Sequence, residues 1–146
     1  MSTPSFAYIY TPSGWIPFRG TDALVRTGDE WHISHLPAAN TQATITQAAA
    51  GAGKRNICTG FTVMFVAGAT APTAINVSVS LIDGAAGGTT YLWRATISLP
   101  ATAGATSGIA RMGRWIGSAN TAMTLEFSAA GGANTIQSVA MEGTVL

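Results

Sequence analysis

The sequence predicts an all-β protein, an antiparallel β-sandwich that carries an extended N-terminal arm. Three observations predict it. From about residue 41 onward, apolar residues recur at every second position, the period of a strand with one buried face. Small-residue turns break these runs into about seven strands at intervals of roughly ten to fifteen residues, the spacing of a sandwich. Helical spacing is missing: short Ala-rich pieces such as residues 47–50 carry no apolar repeat at three and four residues. Each strand offers an apolar face that must be covered, so two sheets pack face to face.

The strands follow in order. Residues 41–46 open the series. Residues 57–66 are rich in β-branched and aromatic side chains. Simple alternation places Ile57, Phe61, Val63 and Phe65 on one face and Cys58, Met64 and Val66 on the other, so a strand buried on both sides is expected. Val77, Val79 and Leu81 alternate with Ser78 and Ser80. Asp83-Gly84-Ala85-Ala86-Gly87-Gly88 then turns the chain, its glycines allowing positive φ. In residues 91–99, Tyr91, Trp93, Ala95, Ile97 and Leu99 share one side; Arg94, Thr96 and Ser98 take the other, with Leu92 as the exception. Pro100 ends that strand because it has no N–H for a ladder. Residues 109–116 form a weaker strand. Met123, Leu125 and Phe127 alternate with Thr124, Glu126 and Ser128, the pattern of a half-buried strand, and residues 135–145 close the chain.

Residues 1–40 have a different texture, holding Phe6, Tyr8, Tyr10, Trp15, Phe18, Trp31 and both histidines. No charged or Ser-rich linker separates them from the rest, so residues 1–40 read as an arm on one domain, residues 41–146. Phe6, Tyr8 and Tyr10 alternate with Ala7 and Ile9, which lets this segment add as an edge strand with three rings on one face. Those rings either cover the chain's own sandwich or anchor on a neighbouring subunit, since aromatic residues dominate binding hot spots. In the second case Trp15, Phe18 and Arg19 make the next contact, and with Trp31 they complete the candidate interface.

Composition narrows the function. Charged residues are 9% of the 146, against about 25% in an ordinary soluble domain. A net charge of +1 leaves little repulsion between copies, so the chain is expected to work packed against other molecules, its own copies included. The Lys and Arg residues are scattered, with only Lys54 and Arg55, then Arg111 and Arg114, close together; no basic face for nucleic acid forms. Met1-Ser2-Thr3-Pro4-Ser5 has neither the basic region nor the apolar region of a secretory signal, and no apolar run reaches the ~20 residues that span a bilayer. A soluble protein made in a cytoplasm is expected. Cys58 is the lone cysteine, so no internal disulfide forms, and its apolar setting suggests an inert buried thiol.

Motifs for chemistry fail on inspection. Ala50-Gly51-Ala52-Gly53-Lys54-Arg55 resembles a phosphate-binding loop, but Ala48 stands at the first glycine position, Arg55 replaces the magnesium-binding hydroxyl, and a strand follows. A glycine-rich hairpin loop is the expectation there. In Asp29-Glu30-Trp31-His32-Ile33-Ser34-His35, a strand puts Glu30 and His32 on one face and His35 on the other, too few convergent ligands for a metal. No serine sits in a nucleophile elbow. Of the acids, Asp83 falls in a turn and Glu126 and Glu142 on strands, leaving open a facing pair from distant strands. No enzyme activity and no cofactor are expected.

A resemblance adds to this. Asn76-Val77-Ser78-Val79-Ser80-Leu81-Ile82-Asp83-Gly84 is followed by Gly87-Gly88-Thr89-Thr90-Tyr91-Leu92-Trp93-Arg94. With Pro100-Ala101-Thr102-Ala103-Gly104-Ala105 and Asn120-Thr121-Ala122-Met123-Thr124-Leu125-Glu126-Phe127, these runs resemble the capsid cement or decoration proteins of tailed bacteriophages. The resemblance covers roughly residues 54–146 and leaves the first forty unmatched. It implies a jelly-roll sandwich that oligomerises with itself on the outer shell of the virion and bridges major capsid protein subunits. The alternative is a phage tail or head-fibre component with a carbohydrate-binding sandwich, in which Tyr91, Trp93 and Trp115 stack on sugar rings.

Overall fold

The computed structural model describes residues 29–146 and, before them, the backbone of two strands, residues 7–11 and 14–18. Among the described residues there are ten strands and no helix, so the Ala-rich residues 48–50 are irregular. β1 (Ala7–Thr11) and β2 (Gly14–Phe18) pair as an antiparallel ribbon, with Tyr10 opposite Trp15 and Ala7 opposite Phe18.

The sandwich is built from β3 (Glu30–His35), β4 (Thr44–Gln47), β5 (Asn56–Ala67), β6 (Ile75–Asp83), β7 (Tyr91–Leu99), β8 (Thr106–Ile116), β9 (Met123–Phe127) and β10 (Thr135–Val145). Sheet I has the order β3-β10-β5-β8 and sheet II the order β4-β9-β6-β7, every neighbouring pair antiparallel. Successive strands cross from one sheet to the other, except β6 and β7, which are neighbours in sheet II. That is the jelly-roll arrangement, two interleaved Greek keys. The core fills the gap between sheets: Val63, Phe65, Val139 and Met141 from sheet I meet Val79, Leu81, Leu125 and Phe127 from sheet II. Phe65 and Phe127 join them edge to face, ring centroids 5.7 Å apart.

Five expectations change, the last of them in β9. The segment 30–35, read as part of the arm, is an edge strand hydrogen-bonded along β10, so the sandwich starts before residue 41. Its alternation of exposed Glu30, His32 and Ser34 with half-buried Trp31, Ile33 and His35 is a strand's pattern. Secondly, alternation along β5 breaks at Thr59. The register shifts there against both β10 and β8, a β-bulge that turns Cys58 into the core beside Phe61 and Val63 and leaves Ile57 off that cluster. The other face of β5 is only partly covered: Thr62 is exposed and Met64 and Val66 are half-buried. Thirdly, a second register shift lies where Leu81 and Ile82 of β6 face Trp93 and Tyr91 of β7. Leu92 is the extra residue, packing against the core while Tyr91 is 43% exposed. Fourthly, residues 48–55 carry the chain from sheet II to sheet I, so the glycine-rich loop is a crossover rather than a hairpin.

β9 is buried throughout rather than on one face. Residues 84–88 fold back over its outer side: Thr124 Oγ1 donates to the Gly84 carbonyl at 2.7 Å, and Gly87 N–H donates to Glu126 at 3.0 Å.

Candidate functional site

The titratable groups of the sandwich are set apart by its strands. Glu126, 8% exposed, takes the Gly87 N–H with both carboxylate oxygens, at 3.0 and 3.2 Å. Asp83, at the end of β6, accepts from the Ser118 N–H at 2.9 and 3.0 Å and from its hydroxyl at 2.6 Å. Each carboxylate thus fastens a loop, and backbone donors occupy the oxygens that acid–base chemistry would use.

Glu30, His32 and Glu142 do come together. Strand pairing puts Glu142 opposite His32 and Thr144 opposite Glu30 on the outer side of sheet I. With Thr59 from the β5 bulge they line an open groove of about 470 Å³. His35 points the other way, its Nδ1 accepting the Thr44 N–H at 3.3 Å. The two histidines diverge as strand alternation requires. Among the described residues, no three of His, Cys, Asp and Glu converge in a group able to hold a metal ion.

Cys58 is fully buried, and its thiol donates to the Gly60 carbonyl at 3.3 Å. Burial pushes the thiol up to about 11, with the nearby Glu142 charge adding to the rise, so it stays protonated near neutrality and is a poor nucleophile. Lys54 closes a tight turn, its N–H donating to the Gly51 carbonyl at 3.1 Å, and Arg55 exchanges backbone bonds with Leu146. These backbone N–H groups are spent on the chain itself.

The tryptophans available for sugar stacking are turned inward. Trp93 on β7 and Trp115 on β8 both pack on the Phe61 ring, with centroids 4.8 and 5.0 Å from it. Tyr91 remains exposed, with the Arg94 guanidinium 4.7 Å from its ring centroid. Of the candidate interface residues, Phe6 and Arg19 lie outside the described residues. Tyr8, Tyr10, Trp15 and Phe18 are placed on β1 and β2 by backbone register. Trp31 belongs to the sandwich, half-buried against its core, with its indole N–H buried and without a hydrogen-bond partner among the described residues.

The two outer faces differ in chemistry, which sequence reading had not separated. Sheet II presents hydroxyls: Thr46, Ser78, Thr96 and Ser98. The outer side of sheet I sets small residues, Ala110, Thr62 and Ala140, in one row and His32, Glu142, Gly60 and Met112 in the next, with Met112 standing 77% exposed. Strand parity carries this signal, but it needs the sheet order to bring residues from four strands together.

No family model matches the chain, and no curated protein matches it. Among solved structures, RmlC from Streptococcus suis in complex with dTDP-D-xylose aligns with 94% of this chain and 61% of its own length, at 7% identity and a TM-score of 0.24. A likeness that slight carries no argument.

Proposed function

We propose that the chain is a bacteriophage virion structural protein without enzymatic activity, a capsid cement or decoration protein that binds and bridges major capsid protein subunits. The observation that supports this most is the pairing of a jelly-roll frame with an outer row of Ala110, Thr62 and Ala140 on sheet I, beside which Met112 projects. Exposed apolar surface in a protein so poor in charge suits permanent contact with other subunits. The loop-fastening roles of Glu126 and Asp83 favour a scaffold over a catalyst. The fibre reading has less behind it, because Trp93 and Trp115 wall the core against Phe61.

The mechanism is linkage. A protein that binds only the assembled shell stabilises it by RT ln(1 + [L]/Kd) per site, about 2.7 kcal/mol at a hundredfold excess over Kd. Copies that bridge subunits gain further through effective concentration. Phage heads stripped of the protein are expected to bind it back in hundreds of copies and to melt at a higher temperature once decorated. Heads that melt identically with and without it, or that fail to retain it in sedimentation, would end this reading. A glycan array with the purified protein tests the fibre alternative.

A further inference from the structure

We infer that sheet I continues into a second copy of this chain, head to tail, with the free edge of β8 in one copy taking the free edge of β3 in the next. The inference rests on the multi-contact structural role proposed above and names the surface through which copies meet.

Both ends of sheet I are open. Among the described residues, β3 and β8 each have one hydrogen-bonded strand neighbour, β10 and β5 respectively. An unpaired edge is a template for another strand, and proteins that avoid such pairing blunt their edges. In sheet II one edge is short: β4 spans only four residues, while β7 keeps Trp93 to Leu99 in unbroken register with β6. Both edges of sheet I are longer than β4. β8 runs from Thr106 to Met112 in unbroken register with β5, and the six residues of β3 run unbroken along β10. Neither stretch contains Pro or Lys, and their lengths differ by one residue.

Strand direction permits the contact. Four antiparallel strands leave β3 and β8 running in opposite directions, so a second copy added in the same sense brings its β3 antiparallel to β8. Charge favours it. In the sandwich strands, Arg94, Arg111 and Arg114 all lie on β7 and β8, which carry no Asp or Glu. Glu30 lies on β3 and Glu142 beside it on β10, while β3 and β4 carry no Lys or Arg. β3 and β4 share one side of the sandwich, joined by the Thr44–His35 hydrogen bond, and β7 and β8 share the other through Phe61. Opposite sides of one molecule therefore carry opposite charge. Pairing β8 with its own copy would instead set arginines against arginines, which is repulsive. A head-to-tail contact is heterologous, so it closes into a ring or extends as a filament.

Two variants test it, each altering one edge: Arg111→Glu with Arg114→Glu on β8, and Glu30→Lys with Ser34→Lys on β3, all at exposed positions. Native mass spectrometry of the full chain at micromolar concentration is expected to show wild-type oligomers and mainly monomer for each variant alone. An equal mixture is expected to form complexes with both variants in equal number, since each supplies the edge the other needs. Circular dichroism and cooperative melting establish that the variants fold; Met112→Lys, at a highly exposed site on β8, serves as a second edge block if a double variant does not. A monomeric wild type, variants that oligomerise as it does, or a mixture that stays monomeric overturns the inference. Monomer that still decorates stripped heads would remove the edge contact and leave the capsid role standing. An oligomer that obeys the mixing rule but ignores heads would do the reverse.

Discussion

Cys58 shows how one extra residue redirects a side chain. Plain alternation sets it opposite Phe61, yet the Thr59 bulge brings both into the core. The burial that follows lifts its thiol from an ordinary 9.0 to about 11. Because the folded protein holds this proton more tightly than the unfolded chain, the stability tied to it is complete below about pH 9 and is lost as pH rises toward 11. Urea unfolding at pH 8 and pH 10.5 is expected to show a larger alkaline loss for wild type than for Cys58→Ala, and equal losses would contradict the assignment. Gly143 offers a second residue-scale test. A Cβ there would land on the Ile57 carbonyl oxygen and the Trp31 ring, one of them backbone that has little room to move. Gly143→Ala is expected to cost roughly 3 kcal/mol, the upper end for overpacking, read as a fall in Tm. Neither effect is legible in the sequence, since both depend on where the bulge falls. Gln137 shares its face with Val139 and Met141, so alternation points it inward, but its partners are not legible: it accepts the Ala43 N–H at 3.0 Å and donates to the Ala129 carbonyl at 2.9 Å.

At the scale of elements, alternation succeeded where strands are regular. The bounds of β7 and β10 match the runs read from residues 91–99 and 135–145, and β9 ends one residue short of the run read through Ser128. Periodicity reports a face that is hidden but not what hides it, so the covering of β9 by residues 84–88 had no signature beyond its glycines. Glu126 anchors that cover with a charge-assisted bond to Gly87. Glu126→Ala removes the acceptor and exposes the outer side of β9; a loss of about 2 kcal/mol is expected from urea unfolding. Glu126→Gln keeps a carbonyl acceptor and should lose less. Equal losses would mean that packing, rather than the hydrogen bond, holds the loop. Edge strands were the harder elements to read: β3 falls within residues 1–40, set apart by their aromatics and histidines, although three of its six side chains turn toward the core.

The whole molecule is tied together from its two ends. Among the described residues β3, the first strand of the sandwich, pairs in its sheet with β10, the last, and β10 sits between β3 and β5 in the middle of sheet I. Sheet I therefore cannot form until the full chain is present, and the pairing must close a loop of roughly a hundred residues, which makes folding slow relative to a helical bundle. The order of strands is what the sequence could not disclose: periodicity fixes which residues face inward, whereas neighbours in a sheet are chosen by long-range closure. A chain ending at Asn134 lacks β10, which strips β3 of its partner, opens Phe61, Val63 and Phe65 along β5, and removes Val139 and Met141 from the core. It is expected to give no cooperative melting transition and to collect in the insoluble fraction. A chain beginning at Asp29 retains both four-stranded sheets and should melt cooperatively, within a few degrees of the full protein. Circular dichroism melts of the two truncations decide between this account and one in which residues 1–28 complete the core, for which the second truncation would also fail to fold.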